Sequence, residues 1–258
     1  MGGEIVMMNM PLVSIITPCY NAQAYIAEAI ESVLAQTYEH WEMLIVDDAS
    51  TDKSREIIQS YAEKDSRIKL IMNEQNRGTA RSRNRAIEQA RGEYIALLDS
   101  DDVWLSNKLE VQITLMDSEV VFVCFSAYFI MNVNSQTIGC YSSFEKVSYV
   151  DLLKTSSIGT LTMIYNAKKL GKFYFHQVGH EDYVMKLEML KKVDFAYGIE
   201  EPLARYRIGG HSLSRNKLKA AKWQWYIYRN IEKLSLMKSV YYFLNYIYYG
   251  FTKYHKCT

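Results

Sequence analysis

The first hundred residues alternate short apolar runs with stretches in which apolar side chains recur every three or four positions. Residues 12–17 (LVSIIT) form the first run, and their abrupt end at Pro18 predicts a buried strand. Asn21 then offers a helix cap, and Ile26, Ile30, Val33 and Leu34 repeat at helical spacing as far as Gln36. The pattern returns. Residues 43–46 predict a second strand that ends in Asp47-Asp48-Ala49-Ser50-Thr51-Asp52, after which Ile57, Ile58 and Tyr61 mark the next helix. Residues 68–72, 78–90 and 94–98 read as strand, helix and strand. Units of this kind predict an α/β protein with a mostly parallel central sheet covered by helices on both faces. Beyond residue 105 the regularity loosens, with a strand at 120–125, a polar turn near 132–139 and a short helix at 148–154. His180-Glu181-Asp182 opens a further helix whose Tyr183, Leu187 and Leu190 share one face.

The apolar run at 94–98 breaks directly into Asp99, Ser100, Asp101 and Asp102. Such a burst of acid beside a core is costly unless a cation sits there. Two readings stand: a hard-oxygen site for Mg²⁺ or Mn²⁺ completed by phosphate oxygens, or a solvated acidic turn capping the helix that begins near Ser106. In open parallel sheets ligands bind beyond the carboxyl ends of the strands, and the polar sets after strands one, two and four all fall on that edge. Their convergence favours the metal. No Gly-x-Gly-x-x-Gly follows any strand and no P-loop occurs, so a dinucleotide-dependent dehydrogenase is poorly supported.

Composition narrows the picture further. The chain has 258 residues, 49% of them hydrophobic, enough for one large domain or two small ones. A net charge of +1 argues against bulk attraction to nucleic acid. Cys19, Cys124, Cys140 and Cys257 show neither metal-ligand spacing nor a disulfide framework and read as reduced thiols of a cytoplasmic protein, and residues 1–10 lack the basic start and long apolar run of a signal peptide.

The segments VSIITPCYN, VDDASTD, NRGTARSRN, GEYIALLDSDD and the later HED resemble, in order and spacing, the motifs of family 2 glycosyltransferases of the GT-A fold, especially bacterial enzymes that assemble O-antigen, capsule or teichuronic-type polysaccharides. The resemblance covers about residues 11–215, with a nucleotide-binding half at 11–105 and an acceptor-binding half at 106–215. It implies that Pro18 and Tyr20 line a uracil pocket and that Asp48 accepts the uracil imide hydrogen, while Asp47 supports the loop. Helix capping is the competing reading for Asp48, Ser50 and Asp52. Arg83 and Asn84 match the family's Ala-Arg-Asn element, with Ser82 in place of alanine, and Arg83 faces the nucleotide; Arg77, Arg81 and Arg85 read mostly as a solvated helix face. The Asp-x-Asp motif falls on Asp99 and Asp101, which implies Asp101 as the direct metal ligand and Asp99 as a contact to ribose or to the metal through water. Asp102 and Trp104 are placed at the sugar or acceptor, with core packing the alternative for Trp104.

The strand-like 159–165 matches a segment that passes beside the sugar pocket in the family. Asp182 takes the family's role of catalytic base, deprotonating the acceptor hydroxyl, and Glu181 helps position that acceptor. An acidic first turn favoured by the helix dipole is the plain alternative for both. Arg207 and His211 fall on the loop that closes over the donor, hinged at Gly209-Gly210, where Arg207 offsets phosphate charge and His211 adds a metal ligand.

Residues 216–258 leave the catalytic pattern. Eight lysines and arginines stand there against one acid, Glu232, amid Trp223, Trp225 and many tyrosines. This reads either as a helical tail on an anionic membrane surface, suited to a lipid-linked acceptor, or as a helical pair packed on the catalytic domain or on a second subunit. The combined expectation is an inverting, Mn²⁺- or Mg²⁺-dependent enzyme that moves a hexose from a UDP-sugar to a saccharide on a lipid diphosphate. A non-catalytic sugar-binding or scaffold subunit is the rival from another class, and a nucleotidyltransferase the rival enzyme.

Overall fold

The computed structural model describes residues 10–117, 120–209 and 217–252. Strands β1 (Val13–Cys19), β2 (Trp41–Asp47), β3 (Ile68–Met72) and β4 (Tyr94–Leu97) alternate with helices α1 (Ile26–Leu34), α2 (Ser54–Ala62) and α3 (Thr79–Gln89). Then follow β5 (Val103–Trp104), α4 (Lys108–Met116), β6 (Val123–Met131), β7 (Thr137–Tyr141), β8 (Lys146–Val147) and α5 (Tyr149–Lys154). A 3₁₀ turn at Thr160–Thr162 leads into β9 (Ile164–Asn166), α6 (Ala167–Leu170), α7 (Glu181–Leu190) and β10 (Ala196–Arg207). Helix α8 (Lys217–Tyr226), a π-helical turn at Ile227–Ile231 and α9 (Leu236–Thr252) end the described chain.

One sheet runs through both halves in the order β3-β2-β1-β4-β9-β6-β10-β5, with β7 on β6 and β8 on β10. Strands β1, β2, β3, β4, β6 and β10 point one way, and the other strands oppose them. Side chains alternate between the faces, as the pleat requires. Ile95 and Leu97 of β4 join a core with Ala86 and Ile87 of α3 and Leu187 of α7, whereas Ala96 and Leu98 join Ile30, Val33 and Leu109 on the opposite side. Each such Ile, Leu or Val side chain contributes roughly 1.5–3 kcal/mol by leaving water, which anchors the strands whose ends carry the polar residues.

Asn21 does not cap α1. It sits at φ 49°, and its Oδ1 accepts the Thr51 N–H at 2.8 Å, joining the loops after β1 and β2. Cys19 and Cys124 are free and buried, while Cys140 is disulfide-bonded, so the expectation of four reduced thiols fails there.

The tail packs on the rest of the chain through one of its faces. Ile227 and Tyr228 are buried, Tyr228 Oη donates to the Leu153 carbonyl at 2.5 Å, and Glu232 accepts from Tyr149 Oη and Lys191 Nζ. The other face of α9 leaves Met237 84%, Leu244 61% and Tyr248 64% exposed. No described helix is long and apolar enough to cross a membrane.

Candidate active site

The turn after β4 is built by backbone hydrogen bonds: Leu98 N donates to Ile16 O, and Asp102 N to Asp99 O. Its three carboxylates have different surroundings. Asp102 is buried, and its Oδ1 accepts the Arg207 N–H at 2.8 Å. Burial, followed by the charges of Asp101 and Asp99, holds its carboxyl well above the usual range. Asp102 therefore braces the turn from a buried position, where it was expected at the sugar or acceptor. Asp101 as a whole residue is exposed. Partial burial of its carboxyl and then the charge of Asp99 push it up to about 6.

Asp99 Oδ1 receives Arg83 Nη2 at 2.5 Å, and the same guanidinium sends Nη1 to Glu181 Oε1 at 3.0 Å. Arg83 lies on α3 with its side chain only 8% exposed, its guanidinium carbon 4.8 Å from the Phe175 ring centre. Its Nε is buried and meets no partner among the described residues. Burial pushes the Glu181 carboxyl up against the opposing charge of Arg83, with Asp182 and Asp99 adding to the rise. Next to Arg83, Asn84 exchanges both amide hydrogen bonds with the Phe175 backbone, so α3 also fixes the segment that leads into α7.

Asp182 lies in the first turn of α7. Its Oδ2 accepts from Thr160 Oγ1 at 2.8 Å and from Lys186 Nζ at 2.7 Å. Burial alone would raise this carboxyl, but Lys186, Thr160 and Arg83 outweigh it and hold Asp182 well below the usual carboxylate range. Sequence reasoning missed Lys186 and Thr160. An Asp and a Lys four apart on a helix are ordinary, and only the fold shows that this lysine is wholly buried.

At the nucleotide end Pro18 is buried and Tyr20 is half exposed. Asp48 is buried and accepts from Asn73 Nδ2 at 2.7 Å, Arg77 N at 2.9 Å and Gly78 N at 2.8 Å. Burial opposes its ionisation, yet these donors lower its carboxyl below the ordinary value. Ser82 adds to the lowering from the same side. Ser82 receives the Asn73 amide as well. Asp47 supports the loop by pairing with Arg55 at 2.9 Å, and Asp52 Oδ1 accepts the Ser54 N–H just ahead of α2. Arg77, Arg81 and Arg85 line a hollow of about 380 Å³ together with Asn73, Asn84 and Glu88.

Two further expectations are corrected by burial. Trp104 is 2% exposed, donates Nε1 to the Leu161 carbonyl at 2.8 Å and stacks under Lys108, so no ring face is left for a sugar. The Arg207 side chain is 2% exposed and is held by four bonds: Nη2 with Glu28 at 2.5 Å, Nε with the Asp101 carbonyl, Nη1 with Ser135 and the Asn132 carbonyl. It latches the acidic turn from a buried position. Glu28, its partner, gave no signal in the sequence. His211 lies outside the described residues.

Among the described residues no cluster of three or more His, Cys, Asp or Glu is arranged to hold a metal. What the acidic turn offers is the exposed Asp101 beside Asp99, whose Oδ1 is already paired. A hard divalent cation that takes its remaining oxygens from a diphosphate and water fits this donor set.

A sheet of this order with acid at the carboxyl edge of its parallel strands has the GT-A fold. The fold is shared with S. aureus TarS 1-349, solved in complex with UDP-GlcNAc, at a TM-score of 0.71 and 22% identity over 94% of this chain and 73% of that one. Residues 14–176 match the family described as Glycosyl transferase family 2, and the chain belongs to that family. Among its relatives is the putative teichuronic acid biosynthesis glycosyltransferase TuaG of Bacillus subtilis (strain 168), 42% identical over 92% of this chain and 94% of that protein. Another is the UDP-Glc:alpha-D-GlcNAc-diphosphoundecaprenol beta-1,3-glucosyltransferase WfgD of Escherichia coli, 41% identical over 94% of each chain.

Proposed function

We propose that this glycosyltransferase moves glucose from UDP-glucose to a GlcNAc residue on a lipid diphosphate, with inversion at the anomeric carbon. The observation that carries the proposal is the pair of ends joined by Arg83: an acidic turn at Asp99–Asp101 on one side, the Glu181–Asp182 helix start on the other. The acceptor hydroxyl gives its proton to Asp182, its oxygen bonds to the anomeric carbon, and the bond from that carbon to the diphosphate oxygen breaks with its electron pair leaving on UDP. No covalent intermediate is needed. Asp48, held ionised by its donors, accepts the uracil imide, and Pro18 and Tyr20 border the base. Asp101 and Asp99 hold Mn²⁺ or Mg²⁺, which when bound neutralises charge on the departing diphosphate.

The acceptor's lipid favours a site at the membrane surface. Met237, Val240, Tyr241, Leu244 and Tyr248 form an exposed stripe on α9, a helix without an acidic residue, and Lys233 and Lys238 border it. Apolar and cationic groups on one face suit an anionic bilayer interface. A second copy of the same face would instead oppose like charges. The decisive experiment measures UDP release from a panel of UDP-sugars with a GlcNAc-diphosphate lipid, with and without EDTA, and compares wild type with Asp182→Asn. Release only with UDP-glucose, acceptor, divalent metal and an intact Asp182 is expected; metal-independent release, or unchanged release by Asp182→Asn, defeats the proposal.

A further inference from the structure

An Asp–Lys pair four residues apart normally lies on the outside of a helix, where it contributes a few tenths of a kcal/mol. The pair on α7 is turned inward. Lys186 is 1% exposed, and its three ammonium hydrogens meet three acceptors: Asp182 Oδ2 at 2.7 Å, Thr160 Oγ1 at 2.7 Å and the Ile158 carbonyl at 2.8 Å. Thr160 passes its own hydroxyl hydrogen to Asp182 Oδ2 at 2.8 Å, so the three side chains close a triangle in which every donor is used. Burying a lysine is costly, and this chain does so beside the carboxylate that faces the acceptor.

We infer that Lys186 and Thr160 are positioning residues that occupy Oδ2 of Asp182 and thereby make Oδ1 the oxygen that takes the acceptor proton. Among the described residues no donor reaches Oδ1, while rotating the carboxylate would break two bonds at Oδ2. Thr160 is itself fixed by the turn that leads into β9, and β9 pairs with β4, the strand that carries the acidic turn. The base is thus registered against the opposite end of the site. Other charges facing it are Arg83 on α3, the neighbouring Glu181, and Asp99 across Arg83. The inference rests on Asp182 as the base.

Its test compares wild type with Lys186→Met, Lys186→Arg, Thr160→Val and Asp182→Asn, measuring UDP release from UDP-glucose and a GlcNAc-diphosphate lipid across pH. Loss of the buried cation should move the acid limb of kcat/KM upward by about 1–3 pH units in Lys186→Met, and by a smaller amount in Thr160→Val. Lys186→Arg, which keeps the charge, should return the limb most of the way to the wild-type position. A carboxyl ¹³C titration of Asp182, assigned by its loss in Asp182→Asn, should show the same shifts without turnover. An acid limb and a titration unmoved in Lys186→Met, with only thermal stability lowered, overturn the inference. If Lys186→Met does not fold, an unmoved Thr160→Val does the same. Full activity in Asp182→Asn refutes the base assignment instead, a separate result.

Discussion

Arg83 Nη1 lies 3.0 Å from Glu181 Oε1 although 98 positions separate the two residues. Because the second arm of the same guanidinium holds Asp99, one buried side chain sets the spacing between the two ends of the site. Arg83→Lys keeps the charge but loses the fork, so turnover should fall about tenfold or more with the melting temperature little changed. Arg83→Met leaves two partly open carboxylates without their cation and should cost about 2–3 kcal/mol in urea unfolding, toward the low end for a buried pair because both acids touch solvent. Wild-type kcat in Arg83→Lys would contradict this account.

Asp101 supplies a pH test of the cation seat. Its carboxyl is raised from 3.8 to about 6, so in the metal-free protein its protonation favours the fold, fully so below 3.8 and no longer once pH has risen through about 6. A divalent cation needs the ionised form and acts on the alkaline side of that window. The rise in melting temperature given by Mn²⁺ over EDTA should be larger at about pH 7.5 than at about pH 5.5, and Asp101→Asn should remove it.

Lys108 makes a prediction about stability alone. It is wholly buried on α4, 2.6 Å from Gln112 Oε1 and 3.9 Å from the Trp104 ring centre, and burial pushes its ammonium down to about 7. The folded state prefers the neutral amine. Stability is therefore lost as pH falls from the lysine range toward about 7 and levels off below it. Between about pH 9 and pH 7 the wild type should lose roughly 2–3 kcal/mol more than Lys108→Met, read from urea midpoints at each pH.

The outer face of α9 can be tested apart from catalysis. Leu244 is 61% exposed, so Leu244→Asp should leave the fold intact while placing a charge at the centre of the apolar stripe. Flotation with phosphatidylglycerol vesicles should drop about tenfold or more, turnover on a short-chain soluble acceptor should persist, and phosphatidylcholine vesicles should bind wild type weakly. Equal flotation of the two proteins would remove the membrane assignment.

The half of the fold up to β4 was legible because its strands are short, mainly apolar runs that break into polar loops, a signal carried by local sequence. The later half was not, since β9 and β10 enter the sheet beside strands distant in the chain, and pairing with β4 or β6 leaves no mark on periodicity. In the site, charge and order pointed to Asp101, Arg83 and Asp182. The same reasoning sent Asp102, Trp104 and Arg207 toward substrate, because a sequence shows that a side chain is charged or aromatic and not whether protein already surrounds it. Lys186 escaped for the converse reason: its use depends on a carbonyl and a hydroxyl from another segment.

Strand β5 joins the sheet through β10, pairing Trp104 with Ala204, and Asp102 waits for a backbone hydrogen from Arg207, 105 positions later. Synthesis from the N-terminus therefore delivers β1 to β4 long before the piece that locks the acidic turn. A nascent chain cut off before residue 196 carries the nucleotide end of the sheet with its acidic turn unsecured. The ribosome, by the order in which it releases these strands, withholds a secured acidic turn until nearly all of the sheet exists.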